Sequence, residues 1–282
     1  MKLKFIEERL MDVLMLLAAG IVFLFFASIL WTIGKTGFSA LSWDMITKLP
    51  GGGFYLGKEG GILNAIAGSL MIVGGATLLG LVISIPIVFY LNIYIKKGSR
   101  VAYFTRLSFD VLFGIPSIVY GAFAFTVMIF FGLKTSLLGG IIVITMLIVP
   151  IFVRSMDEVA SSVPHDLLEA AYSLGATRLE TCKVVLRQIA PGVATATLLS
   201  IGRAIGDAAG VLFTAGFTDR IPTSLDEPAA TLPLSVFFQL SSPIPEVRER
   251  AYAAALLLAV IVLLLSLTGR IITYRFSKNR IR

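Results

Sequence analysis

Two residues of opposite charge stand four apart inside one of the most apolar stretches of the chain. The run Ser200-Ile-Gly202-Arg203-Ala-Ile-Gly206-Asp207-Ala-Ala-Gly210 places Arg203 and Asp207 at i and i+4. On a continuous helix such residues share a face. A charge at the centre of a bilayer costs about 2.5–3.5 kcal/mol on insertion scales, so both are expected to face a bundle interior or a water-filled path. An exposed helical ion pair contributes only about 0.3–0.5 kcal/mol, so further partners are needed. One use of the pair is chemical. A guanidinium offers a fork of donors that suits an oxyanion, and the carboxylate beside it releases or recaptures that ion as a gate moves. The other use is a structural lock between two helices. Gly202, Gly206 and Gly210 form two overlapping G-x-x-x-G units, which are expected to hold a neighbouring helix close to the charges.

Other chemistry is excluded by residue type. Gly52 to Lys58 reads G-G-F-Y-L-G-K and nearly matches a phosphate-binding P-loop, but Glu59 follows where a Ser or Thr must ligate magnesium. Any ATP hydrolysis that drives the protein therefore belongs to another chain. The single cysteine, Cys182, gives neither a disulfide nor a thiolate cluster, and the single histidine, His165, gives no zinc pair. No nucleophile lies beside a base, so a membrane enzyme is disfavoured and no cofactor or metal is expected in this chain.

The elements that must position these residues are membrane helices. Of 282 residues, 57% are hydrophobic, against roughly 45–50% in soluble domains. The excess lies in blocks at 11–33, 62–92, 107–131, 136–153, 193–217 and 251–273, and a span needs about 20 apolar residues. With the N-terminus inside, sixteen Lys and Arg fall in inner segments and seven in outer ones, with Arg203 left inside the fifth block. That asymmetry predicts an all-α integral membrane protein of six helices with both termini cytoplasmic. The apolar run from Leu10 to Trp31 exceeds a cleavable signal and is expected to remain as the first helix. The net charge of +7 comes from residues that flank apolar blocks, so membrane lipid and not nucleic acid is the expected neighbour. Residues 1–61 are expected to form a first helix and outer loop, and 62–282 the membrane core. Gly114, Pro116 and Gly121 in the third block suit packing or a hinge. The outer segments 34–61 and 218–250 either cap the bundle or dock an external partner.

The inner segment 154–190 carries the most specific pattern. Pro164 is expected to open a helix and Gly175 to end it, with Leu167, Leu168, Ala171 and Leu174 at amphipathic spacing. A second helix starts at about Arg178, and the two make an elbow on the cytoplasmic surface. Glu169-Ala170-Ala171, with Gly175 six residues after the Glu, resembles the E-A-A-x-x-x-G signature of ABC importer permeases. The resemblance implies a type I importer fold in which this loop docks in a cleft of a cytoplasmic ATPase. Small Ala170 and Ala171 suit close docking, and Gly175 suits the sharp turn. The second helix departs from the family pattern, with Val184-Val185-Leu186-Arg187 and a proline only at Pro191.

Further stretches resemble the phosphate permeases of that family, of the PstA type. They are Gly114-Ile-Pro116-Ser-Ile-Val-Tyr-Gly121, the run Glu169 to Thr177, and Pro222 to Pro233 followed by Ser242-Pro243. The resemblance implies a multi-pass subunit of the inner (plasma) membrane. Its implied partners are a PstC-like sister permease, two PstB-like ATPase subunits and a PstS-like external phosphate-binding protein. It also implies an Arg at position 203. Asp207 stands where those permeases carry Glu, and Gly210 where they carry Pro. A permease for another tetrahedral oxyanion and an ion-coupled secondary carrier are the alternatives. A secondary carrier favours inverted repeats, and no internal repeat is visible.

Overall fold

In hydrocarbon every backbone N–H and C=O must be paired internally, and helices do this within one segment. A computed structural model describes residues 2–51, 59–96 and 98–277, with side chains for 7–51, 59–96 and 98–271. The near-match to a P-loop at Gly52–Lys58 lies outside the described residues. Helix α1 spans Lys2–Ala40 and is followed by a short α2, Trp43–Thr47. Two-residue strands Pro50–Gly51 and Glu59–Gly60 pair antiparallel. Then come α3 (Leu63–Phe89), which continues into a π-helical turn at Tyr90–Tyr94, α4 (Arg100–Gly114), α5 (Ser117–Phe130) and α6 (Leu137–Ser161). The chain closes with α7 (His165–Ser173), α8 (Arg178–Ile205), α9 (Leu232–Leu240) and α10 (Pro245–Ser277).

Among the described residues five helices are long and apolar enough to cross a membrane, and the bent pair α4–α5 brings the number to six if it is counted as one broken span. The third apolar block is therefore not one straight span. Its two helices meet at 98°. Pro116 is the cause. It disfavours a helical conformation at the residue before it, and Ile115 is extended at φ −72°, ψ 129°. Across the bend, the Tyr120 hydroxyl donates to the Leu112 carbonyl at 2.8 Å.

The core lies between α3 and α6, where Phe152, Ile144, Ile148 and Val143 are fully buried. α8 packs on α6 and α10, and α1 packs on α10. The apolar side chains of α1, Phe23 and Phe25 among them, stay exposed, as expected of a helix that faces lipid.

One further expectation needs correction. The second helix of the elbow and the fifth span are one element, because α8 runs for 28 residues with Pro191 inside it. Membrane helices tolerate such a proline when the carbonyl it leaves unbonded, here that of Arg187, is satisfied by its surroundings. The outer segment 218–250 is partly helical. It contains α9, started by the Thr231 N-cap with Pro233 in the first turn, and α10 begins at Pro245. The part before α9 caps the bundle. The N–H groups of Ser136, Leu137 and Leu138 donate to the carbonyls of Thr214, Glu227 and Leu225 at 2.7–2.8 Å, which satisfies donors that a helix start leaves unpaired.

Candidate translocation and coupling sites

Arg203 sits in the last turn of α8, which ends at Ile205 with Gly206 as its cap. Asp207 is beyond the helix. Its Oδ2 accepts the backbone N–H of Gly210 at 2.8 Å. Asp side chains compete with helical bonding in this way, and two glycines here lower helix propensity further. The shared helical face expected for Arg203 and Asp207 is thus absent. Among the described residues Arg203 has no ion-pair partner, and it is exposed.

The glycine stripe fails for the same reason. Gly202 has open space where a Cβ would sit, and Gly206 meets only the carbonyl of Gly202. Gly210 is buried, with the Asp207 carboxylate, Val143 and the Ser117 carbonyl around it. These three residues do not form a seam for a neighbouring helix.

From Gly206 to Phe217 the chain crosses the outer part of the fifth block as turns. Non-helical backbone at membrane depth must be buried in protein or line a cavity. Val211, Thr214 and Ala215 are at most 1% exposed. The Thr214 carbonyl accepts from Ser136, and Ala229 donates to Ala215 at 2.9 Å. Gly121 of α5 lies directly on this turn, where a Cβ would fall 2.6 Å from the Gly210 carbonyl oxygen. Val143, beside Gly210, is seven residues into α6 from Ser136, about 10 Å below the outer helix end. Arg203 precedes this turn on a helix that rises from the cytoplasmic side, so it lies deeper still.

At the opposite end, α7 forms where the elbow was expected. Pro164 is its N-cap, and Gly175 takes φ +80° just beyond Leu174. That is the left-handed conformation in which glycine is unstrained. No side chain of α7 is buried. Glu169 and Ala170 are exposed, and Ala171 is half-buried. Glu169 lies 3.3 Å from the His165 ring. Leu174 does not join an inward apolar face: it is 89% exposed.

At the inner helix ends, where the sequence places Asp110, Arg154, Asp157 and Glu158 as interfacial anchors or gate contacts, the structure shows a cluster that also takes in Arg106 and Asn92. Arg106 and Asp157 form a two-point ion pair at 2.7 and 3.0 Å. Asn92 of the π turn donates to the same carboxylate at 2.7 Å. Arg154 and Asp110 pair at 3.3 Å. Arg106 has Asp110 at i+4 on its own helix, yet it pairs with Asp157 of α6, a choice that spacing along one helix does not signal.

A mostly helical bundle with five to six apolar helices of spanning length defines a multi-pass membrane protein. Residues 76–282 match the binding-protein-dependent transport system inner membrane components, and the chain belongs to that family. The chain is 34% identical over 275 residues to the "Phosphate transport system permease protein PstA" of Pasteurella multocida, covering 97% of this chain and 96% of that protein. It is 36% identical over 222 residues to the protein of the same name from Yersinia pestis, covering 78% and 74%. Of solved structures, a chain of the MetNI methionine ABC transporter in inward-facing conformations has the same fold. The TM-score is 0.61 at 21% identity, over 75% of this chain and 94% of that chain. The chain is a multi-pass membrane permease subunit of an ABC importer and not an enzyme. ATP hydrolysis lies on a separate subunit, and a binding protein is a partner.

Proposed function

We propose that this chain is the A-type permease of an ATP-driven phosphate importer in the inner (plasma) membrane. It works with a PstC-like sister permease, two PstB-like ATPases and a PstS-like binding protein, and needs no cofactor of its own. The observation that carries the substrate is the 34% identity over 97% of the chain to a phosphate permease. The chemistry agrees. Among the described residues Arg203 has no ion-pair partner, and Asp207 is committed to the Gly210 N–H. The counter-anion of Arg203 is then the solute itself, held by a planar fork of N–H donors. The segment 154–190 couples this site to ATP, with Glu169, Ala170, Ala171 and Gly175 presenting α7 to the ATPase. Pro116 and Gly206, each at a helix end, are the hinge positions.

A second reading, another tetrahedral oxyanion, is favoured by Asp207 and Gly210, which differ from the phosphate pattern next to Arg203. One experiment separates them. The four-component complex is reconstituted in vesicles with ATP, and uptake of phosphate and of sulfate is measured. ATP-dependent phosphate uptake is expected. Sulfate uptake without phosphate uptake rejects the substrate, and gradient-driven transport by this chain alone rejects the ABC assignment.

A further inference from the structure

Asp157, near the inner end of α6, joins three elements at one carboxylate. Arg106 of α4 grips both oxygens, Nε donating to Oδ2 at 2.7 Å and Nη2 to Oδ1 at 3.0 Å. Asn92 donates to Oδ1 at 2.7 Å and to its own helix at the Val88 carbonyl at 2.9 Å. The Asp157 side chain is only 15% exposed. A two-point grip on a planar carboxylate fixes orientation as well as distance, so rotation of one helix is passed to the other.

Asn92 belongs to the π-helical turn Tyr90–Tyr94. Such turns widen a helix by one residue and occur most often at functional sites. The turn meets the start of α8. The Arg178 guanidinium stands 5.6 Å from the centre of the Tyr94 ring. Arg178 follows Gly175 by three residues, and a capping box between Thr177 and Glu180 makes the first turn of α8 rigid. A shift of α7 therefore reaches Tyr94 through a short stiff path. On the other side, Arg106 lies on α4, which leads through the Pro116 bend to α5 and to Gly121 on the Gly210 carbonyl.

We infer that Asp157 is the joint through which movement of the cytoplasmic elbow reaches the bent α4–α5 pair and the turn beside Arg203. It is a positioning residue and touches no solute. This inference rests on the transport reading above. The neighbouring Arg154–Asp110 pair also ties α6 to α4, but at one point and with both side chains more than half exposed. It serves as the internal control.

The test uses the complete complex in proteoliposomes, with ATP hydrolysis measured with and without phosphate-loaded binding protein. Asp157→Asn and Arg106→Gln are expected to assemble and to keep basal hydrolysis, while stimulation by the loaded binding protein falls about tenfold. Asp110→Asn is expected to stay within about twofold of the unmodified complex. Asn92→Ala keeps the ion pair and removes only the strut to the π turn. It is expected to lower stimulation without lowering thermal stability. Undiminished stimulation in Asn92→Ala overturns the proposal even where Asp157→Asn fails to fold. Loss of basal and stimulated hydrolysis in equal proportion across the variants also overturns it, because that is the signature of a purely structural contact. Failure of the transport reading looks different, since the unmodified complex itself then shows no stimulation.

Discussion

The carboxylate of Asp207 accepts the backbone N–H of Gly210 at 2.8 Å and leaves the guanidinium of Arg203, four residues earlier, without an ion-pair partner among the described residues. An unpaired cation at membrane depth is costly. On the proposed reading its counter-ion is an anion that comes and goes. Arg203→Gln is expected to abolish uptake while the complex still assembles, and Arg203→Lys to retain a reduced rate because a point charge replaces a planar fork. The double exchange Arg203→Asp with Asp207→Arg is expected not to restore uptake, since the two side chains do not bond to each other. Radiolabelled phosphate uptake in vesicles, with subunit ratios from the purified complex, checks all three. Full uptake in Arg203→Gln removes the arginine from the path.

Asp207 has a separate, structural duty. Asp207→Asn keeps an oxygen for the Gly210 N–H and is expected to preserve stability. Asp207→Ala leaves that donor unpaired in a largely buried turn and is expected to destabilise by about 1–3 kcal/mol. Thermal unfolding of the purified complex in detergent decides between them. Equal melting temperatures for Asn and Ala contradict the capping role.

The contact of Gly121 with the Gly210 carbonyl gives a steric prediction. Gly121→Ala places a methyl 2.6 Å from a backbone oxygen, which forces α5 off the turn and costs about 1–3 kcal/mol. The expected result is a lower melting temperature together with altered uptake, because α5 and the Arg203 region move together. An unchanged melting temperature means that the helix and the turn are not in contact.

On the cytoplasmic side, Leu174→Asp is expected to leave the stability of the permease within about 0.5 kcal/mol, since the side chain is almost wholly exposed. Its effect should fall on ATPase association, measured as the fraction of ATPase that copurifies. Glu169→Lys is expected to weaken the same association and to lose transport-coupled hydrolysis. If both variants retain ATPase and uptake, α7 is not the docking element.

The apolar blocks made the bundle legible, because a span is a matter of length and composition. The elbow was legible too, since Pro164 and Gly175 act locally on the backbone. What stayed hidden depends on contacts between distant segments. The fifth block reads as an unbroken apolar helix, yet Asp207 turns back on Gly210, and the turn is held by α5 and α6, far away in sequence. The break at Pro116 was visible as a proline but not as a 98° bend. The Asn92–Asp157–Arg106 cluster joins residues 51 and 65 positions apart, beyond the reach of any periodicity. Leu174 fell on the apolar side of a helical wheel, but the helix ends there and the side chain turns outward.

The bare helix at His165–Ser173 has a consequence for how the complex is put together. Nine residues with no buried side chain are fewer than the roughly 12–15 an isolated helix needs in water. Its winding in the permease alone therefore leans on the half-buried Leu167, Leu168 and Ala171, with Leu168 against the bundle core. A partner that covers the remaining surface of the knuckle adds to this support, so docking and helix stability are linked: whatever binds the elbow also stiffens it.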